Sequence, residues 1–580
     1  MNARRFLPLL ALALAPACQV DATKGEATRP APPAAETVFT GGHFVTLDEA
    51  LPEAQAIAVS GGRIVAVGSA AEIAAYIGPE TEELDLAGAF AMPGFIEGHG
   101  HFTGIGDAKM QLDLMHARTW NEIVQMVATA VAEAAPGELI RGRGWHQEKW
   151  DVTPEPSYDG LPVHDGLSAV SPDNPVILRH ASGHASFGNA KAMELADITI
   201  DTVDPDGGEI VRDREGHPIG MFRETAQALL SRASRGARAT DFRQLVELAD
   251  REVTSKGITS FQDAGSSFAT VARFRELVDE GAIDVRLWVM IRDGNDRLAD
   301  RLAETRVVGY GDDHLTVRAI KHSIDGALGS HGAWLLEPYA DLDESTPNPT
   351  GQNTTPVDTI EATAQLALEH GFQLCVHAIG DRANRETLDI FERSFAGRED
   401  GQDLRWRVEH AQHISPADIP RFAELGVIAS MQGVHCTSDG PWIEPRLGAR
   451  RALEGAYVWR SLMDSGAVVT NGTDAPVEDV DPIASFYATV TRQLADGTRF
   501  YPDQRMSRLE ALRSYTLACA YAAFEEDVKG SLVPGKLADI TVLSKDILTC
   551  PEDEIRNAEV LYTIIGGKVV YRNDSALGMR

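Results

Sequence analysis

The chain has 580 residues, 43% of them hydrophobic, and carries a formal net charge of −33 from 53 basic and 86 acidic side chains. That length and apolar content can bury a large core and more than one structural unit, which excludes disorder along most of the chain. The acidic balance excludes nucleic acid and anionic membrane surfaces as partners, because such a surface repels phosphates over a Debye length.

Residues 1–18 have the pattern of an export signal: Arg4 and Arg5 precede the apolar stretch Phe6 to Ala15, and Ala15-Pro16-Ala17 precede Cys18. The arrangement resembles a bacterial lipobox, although Ala15 stands where Leu is usual and Pro16 is atypical. The expectation is an exported, periplasmic lipoprotein anchored to the membrane through a lipidated Cys18. An ordinary signal cleaved after Ala-x-Ala is the competing reading. Residues 19–36, rich in Ala, Pro and Thr, read as a flexible linker. No later apolar run reaches the roughly 18 to 20 residues needed to span a bilayer. Cys375, Cys436, Cys519 and Cys550 show no Cys-x-x-Cys spacing, so no disulfide framework is expected.

From residue 37 the chain shows short β-runs broken by Gly61-Gly62, and a matching set near the end turns at Gly566-Gly567. Residues 37–92 and 530–575 are therefore expected to pack as one small β-sandwich domain built from both chain ends. Between them, residues 93–529 alternate apolar runs with amphipathic stretches. Runs such as Val285 to Ile291, Val317 to Ser323 and Phe372 to His377 read as strands, and Asp241 to Ser255, Thr359 to His370 and Arg382 to Phe395 as helices. The fold class is α/β, a (β/α)8 TIM-like barrel in which the loop-rich, irregular region at about 109–237 reads as a partial set of barrel strands carrying a substrate-covering insertion. A doubly wound open sheet is the alternative, but it gives no reason for ligands to collect at so many strand ends.

The chemistry starts at Phe95-Ile96-Glu97-Gly98-His99-Gly100-His101. Alternate side chains of a strand point the same way, so His99 and His101 can present two imidazoles to one metal ion. Lys321, His377, His410 and Asp474 each lie at or just beyond the end of another apolar run, where a parallel barrel assembles its active site. A lone His beside a strand is usually a hydrogen-bonded core or surface residue, and His43, His116, His146 and His370 are assigned to that class. His322 and His413 are read as supporting or structural.

The order His-x-His, Lys, His, His, Asp has the flanking motifs Ile320-Lys321-His322-Ser323-Ile324-Asp325-Gly326, Val376-His377-Ala378, Val408-Glu409-His410 and Gly472-Thr473-Asp474-Ala475-Pro476. With Gly142-Arg143-Gly144-Trp145 and the closing Pro534-Gly535-Lys536-Leu537-Ala538-Asp539, the pattern resembles the amidohydrolase superfamily, and within it the family-3 branch of N-substituted formamide deformylase-like hydrolases. The resemblance implies that His99, His101 and Asp474 bind one divalent metal and that His377 and His410 bind a second. Two zinc ions per chain would then be bridged by Lys321. A protonated lysine has no lone pair to give, so this bridge requires a carboxylated Lys321; an unmodified lysine favours one metal. Metal-activated water is the implied nucleophile, Asp474 the proton shuttle to the leaving nitrogen, and His435 a donor to the carbonyl.

Trp145, His184, Asp439 and Trp442 are expected to meet substrate from loops after strands, and Trp145, Trp334, Tyr339 and Trp442 suggest an aromatic pocket. The function expected is an exported metal-dependent amidohydrolase that cleaves a non-peptide C–N bond, amide, N-acyl or N-formyl, of a small molecule. A heterocycle deaminase or cyclic-amide hydrolase is the alternative, and a non-catalytic metal- or solute-binding lipoprotein the second. The partner expected is a small-molecule amide, with a homodimer as one option for assembly.

Overall fold

The computed structural model describes residues 32–578 apart from 235–240, Glu344, Pro347 and the side chain of Gln402. The signal segment 1–18 with Cys18, and residues 19–31 of the linker, lie outside the described residues.

Eight parallel strands form the central barrel: β1 (Phe95–Gly100), β2 (Ile258–Ser266), β3 (Arg286–Ile291), β4 (Leu315–Ser323), β5 (Gln373–Ala378), β6 (Arg407–His410), β7 (Ile428–Gln432) and β8 (Val469–Gly472). Each pairs with the next in chain order. Most are continuously buried runs, as strands covered on both faces must be; all six residues of β3 are buried. The last gap closes where the His99 carbonyl accepts from the Asp474 N–H (2.7 Å) and the Ala475 carbonyl from the His101 N–H (2.7 Å). Glycine makes this approach possible: a Cβ on Gly98 would lie 2.3 Å from Asn471 O, and one on Gly472 would lie 2.7 Å from His99 N. The TIM-like barrel expected from the sequence is therefore the fold.

The helices cover the barrel as their sequences direct. Asp241 caps Phe242–Ser255 by accepting from Arg243 N (3.0 Å), and that helix buries Leu245, Val246, Ala249 and Val253 on one face. Gly371 (φ 68°) ends Val357–His370 in the left-handed conformation.

Two sheets from the chain ends form the smaller unit. One contains Thr37–Thr40, Ala56–Ser60, Arg63–Gly68 and Glu82–Asp85; the other joins His43–Val45, Glu53–Ala54 and Phe90–Pro93 to Ile540–Leu543, Val560–Ile565 and Lys568–Arg572. Asp539, from the closing Pro-Gly-Lys-x-Ala-Asp motif, accepts two hydrogen bonds from buried Arg286 at the start of β3 (2.8 and 3.1 Å) and one from Gly566 N (2.9 Å). That motif therefore ties the sandwich to the barrel floor rather than serving the site.

Between helices Phe102–Lys109 and Phe242–Ser255 the insertion forms a six-stranded sheet of its own, including Ile140–Trp145, Val176–His180, Ala185–Gly188 and Pro218–Glu224. The barrel strands expected in this region are not there: among the described residues it contributes none, because its strands pair with one another in their own sheet.

Candidate metal centre

Six side chains named from the sequence converge at the C-terminal end of the barrel: His99, His101, Lys321, His377, His410 and Asp474 all line one cavity or lie directly beneath it. Register explains the convergence. Ser323 pairs with His377, and Ala378 with His410, so neighbouring strands end at the same height. His410 (φ 73°) and Asp474 (φ 57°) adopt left-handed backbone conformations, which turn their side chains inward as the strands finish; non-glycine residues held there store strain.

The tightest group is His99, His410 and Asp474, which can each offer a ligand atom within 4.8 Å of the others. Around it, His101 Nε2 lies 3.2 Å and His99 Nε2 3.5 Å from Asp474 Oδ1, Lys321 Nζ lies 3.3 Å from His99 Nε2, and the His377 and His410 ring centroids are 4.4 Å apart. This trio cuts across the expected division of His99 and His410 between two metals.

Supporting contacts fix the ring orientations. His99 Nδ1–H donates to Glu409, and His410 Nδ1–H donates to Gln432 Oε1 (2.8 Å), so both rings keep Nε2 for a ligand. Burial holds the His99 imidazole down to about 4, and holds His377 and His410 well below the usual histidine range, so all three are neutral donors at neutral pH. Burial alone would raise the Asp474 carboxyl, but its hydrogen bond with His101 and the nearby His99 and His410 outweigh that, and it lies well below the usual range. Among the described residues His377 Nε2 is buried without a hydrogen-bond partner, and Asp474 Oδ1 faces both His101 Nε2 and His99 Nε2. Neutral imidazoles, an ionised carboxylate and an unpartnered ring nitrogen fit a divalent metal ion.

Four carboxylates around the site, Glu409, Asp325, Asp263 and Glu97, support it and have no role assigned by the sequence pattern. Glu409, fully buried, also pairs with Arg407 (2.7 Å), which crosses the barrel to Gly98 O and Gln262 Oε1. Asp325 accepts the N–H groups of Trp334, Ile379 and Gly380 and lies 3.6 Å from His377 Nε2. Asp263 receives Phe102 N–H, and Glu97, pushed up to about 8 by burial, receives Thr473 N–H. Glu409 and Asp325 sit beside His410 and Lys321 in the quoted motifs, and that adjacency was the available signal.

The cavity has a volume of about 750 Å³ and is walled by both barrel and insertion. The stretch after β7 is a helix, Gly433–Leu447, and not the expected loop. His435, Asp439 and Trp442 consequently share one helical face toward the cavity. Gln412 Nε2 donates to His435 Nδ1 (3.0 Å), which leaves His435 Nε2–H as a buried donor without a partner. Tyr457 OH donates to Asp439 (2.6 Å). From the insertion, His184 donates through Nδ1 to Glu224 (2.7 Å), and its ring centroid is 5.3 Å from that of His377. Burial would depress His184, yet the Glu224 carboxylate outweighs it and raises its pKa.

Trp145 does not face this cavity. It is fully buried in the insertion core, its indole N–H bound to Leu178 O (2.9 Å), because in the Gly-Arg-Gly-Trp strand it points to the opposite side. Its neighbour His146, assigned above to the ordinary class, lines the cavity instead, as do His180 and His322. Of the four aromatics expected to form the pocket, only Trp442 lines it.

Comparison with known proteins gives the same picture from a separate direction. A family model described as the Amidohydrolase family matches residues 82–571. The chain is 32% identical over 557 residues to Protein LONG AFTER FAR-RED 3 of Arabidopsis thaliana, covering 94% of this chain and 93% of that one. It is 28% identical over 543 residues to N-substituted formamide deformylase of Arthrobacter pascens, covering 91% and 96%. A crystal structure of an uncharacterized metal-dependent hydrolase from Pyrococcus horikoshii superposes with a TM-score of 0.70 at 25% identity, covering 89% of this chain and 99% of that one. With its barrel, its converging histidines and a family match along most of its length, this chain belongs to the amidohydrolase family and is a metal-dependent hydrolase of carbon–nitrogen bonds.

Proposed function

We propose that the protein hydrolyses a non-peptide amide, N-acyl or N-formyl bond of a small molecule, using two zinc ions bridged by a carboxylated Lys321. The observation that carries this reading is the convergence of His99, His410 and Asp474, whose ligand atoms lie within 4.8 Å of one another, with the His377 ring packed against His410. Burial brings Lys321 down to about 8, which gives a fraction of neutral amine able to take up carbon dioxide. The similarity to N-substituted formamide deformylase supports an amide as the bond attacked.

A divalent ion, when bound, polarises the scissile carbonyl and lowers the pKa of water. The protein's own groups do the rest. Asp474, held ionised, accepts the proton of the attacking water and delivers it to the leaving nitrogen. His435, fixed by Gln412 as the Nε2–H tautomer, donates to the carbonyl oxygen as negative charge develops there. His184, held by Glu224, stands on the insertion side of the cavity beside His377 and positions the substrate there. The N-terminal segment supports export and anchoring through Cys18 as the setting for this activity.

Elemental analysis of protein produced with zinc and bicarbonate tests the assignment. About two metals per chain in the wild type, falling to one or none in Lys321→Ala, is the expected result. One metal per chain indifferent to Lys321 would refute the carbamate-bridged pair.

A further inference from the structure

The cavity that holds the metal centre is lined by charged and histidine side chains, and several of its cations are not ion-paired among the described residues. Carboxylates facing it are already committed: Asp107 to Arg141 (2.8 Å), Glu224 to His184 (2.7 Å), Asp293 to Arg297 (2.9 Å) and Glu478 to Lys149 (3.5 Å). Three arginines facing the same space have no such partner among the described residues. Arg143, on the first long strand of the insertion, donates only to the carbonyls of Pro476 (3.2 Å) and Ala181 (3.0 Å). Arg292, just after β3, donates only to Ser323 Oγ (3.2 Å), and its side chain lies across Gly265, where a Cβ would come within 3.0 Å of it. Arg179, at the end of strand Val176–His180, has no hydrogen-bond partner and passes beneath the Gly183 turn that carries His184.

Arg179 and Arg292 line the cavity and are exposed to it, and Arg179 repels both Arg143 and Arg292. Burial and then its neighbour Arg179 lower Arg143 to about 10, and burial and then Arg179 lower Arg292. Asp107 acts on Arg143 and Arg179, and Asp474 on Arg143, but among the described residues no carboxylate forms an ion pair with any of the three. A guanidinium open to a cavity and not ion-paired is free to take a carboxylate brought by a ligand. Two guanidinium forks that line one cavity, one from the insertion and one from the barrel, can each hydrogen-bond a carboxylate.

Resting on the amide-hydrolase reading above, we propose that the substrate is an amide bearing a carboxylate, which Arg179 of the insertion and Arg292 of the barrel hold while the scissile bond lies at the metal centre. Arg143 adds positive potential beside them and ties the insertion to the loop after β8. The insertion thereby sets specificity, because one of the two recognising arginines belongs to it and the other to the barrel.

Isothermal titration of the metal-loaded protein with 4-aminobenzoate and with its neutral twin 4-aminobenzamide reads this preference. The expected result is at least tenfold tighter binding of the anion in the wild type. In the double variant Arg179→Gln, Arg292→Gln that preference should vanish, with metal content and melting temperature unchanged. Equal binding of the two probes, or binding of neither, would overturn the proposal. So would a preference that survives in the double variant and disappears on metal removal, since the carboxylate would then sit on the metal. Amine release from 4-formamidobenzoate and 4-formamidobenzamide separates the two readings. Release from both at equal kcat/KM overturns the carboxylate site alone. Arginine-dependent anion binding with release from neither supports the site and counts against the amide chemistry.

Discussion

Glu409→Gln is the substitution whose consequence follows most directly from the geometry. The wild-type carboxylate is fully buried, accepts from His99 Nδ1–H and pairs with Arg407 Nε (2.7 Å). Burial alone would raise its pKa, but the Arg407 guanidinium and then His99 hold it well below the usual range. Glutamine keeps the size and one acceptor while removing the charge. Arg407 then remains as a buried cation whose acceptors are Gly98 O, Gln262 Oε1 and Ser430 Oγ. Breaking one side of a buried pair costs about 3 to 5 kcal/mol, and these neutral acceptors set the expected loss near about 3 kcal/mol. His99 also becomes a weaker base, and losing such a support lowers metal affinity by roughly ten- to hundredfold. Zinc competition against a chromophoric chelator and urea unfolding of the metal-free protein measure the two effects separately. Arg407→Met combined with Glu409→Gln should recover part of the stability and none of the metal affinity. A Glu409→Gln protein that holds zinc as tightly as the wild type would refute the role assigned to this carboxylate.

Asp250 offers a pH test remote from the metal. Burial pushes its carboxyl from 3.8 up to about 6, although it accepts the N–H groups of Val285 and Asp284. The folded state therefore binds the proton more tightly than the unfolded chain, and stability falls as pH rises from about 4 to about 6. The gap corresponds to roughly 3 kcal/mol. Asp250→Asn keeps the acceptor and should flatten that fall in unfolding curves recorded across the range; an unchanged slope would refute it. Gly98→Ala should force β1 away from Asn471 O, costing about 1 to 3 kcal/mol by overpacking and lowering metal content because His99 and Asp474 separate. His184→Gln should lower kcat/KM by roughly a hundredfold, within the range for loss of one positioned polar group, with metal content unchanged.

The barrel was legible because strands covered on both faces must be nearly continuous apolar runs, and β3 and β5 are six buried residues each. The ligands were legible because they end those runs. The helix Gly433–Leu447 was hidden by Gly433, Gly440, Pro441 and Pro445, residues that argue locally for a loop and are overridden by packing against Pro482–Thr491. Trp145 misled because a motif shows that a residue matters and not which face of a strand it takes; the alternation put His146 on the cavity side. The arginines that are not ion-paired could not be read at all, since residues 143, 179 and 292 are brought together only by the docking of the insertion onto the barrel, and their lack of an ion pair is a property of what surrounds them.

The most direct test is amine release from a set of N-formyl and N-acyl amines by protein as isolated, stripped of metal, and reloaded with zinc, alongside Asp474→Asn. Release that disappears on stripping, returns on reloading and falls by about a thousandfold or more in Asp474→Asn is the predicted result. Release that is indifferent to metal, or that persists in Asp474→Asn, would contradict a metal-dependent C–N hydrolase centred on this cavity.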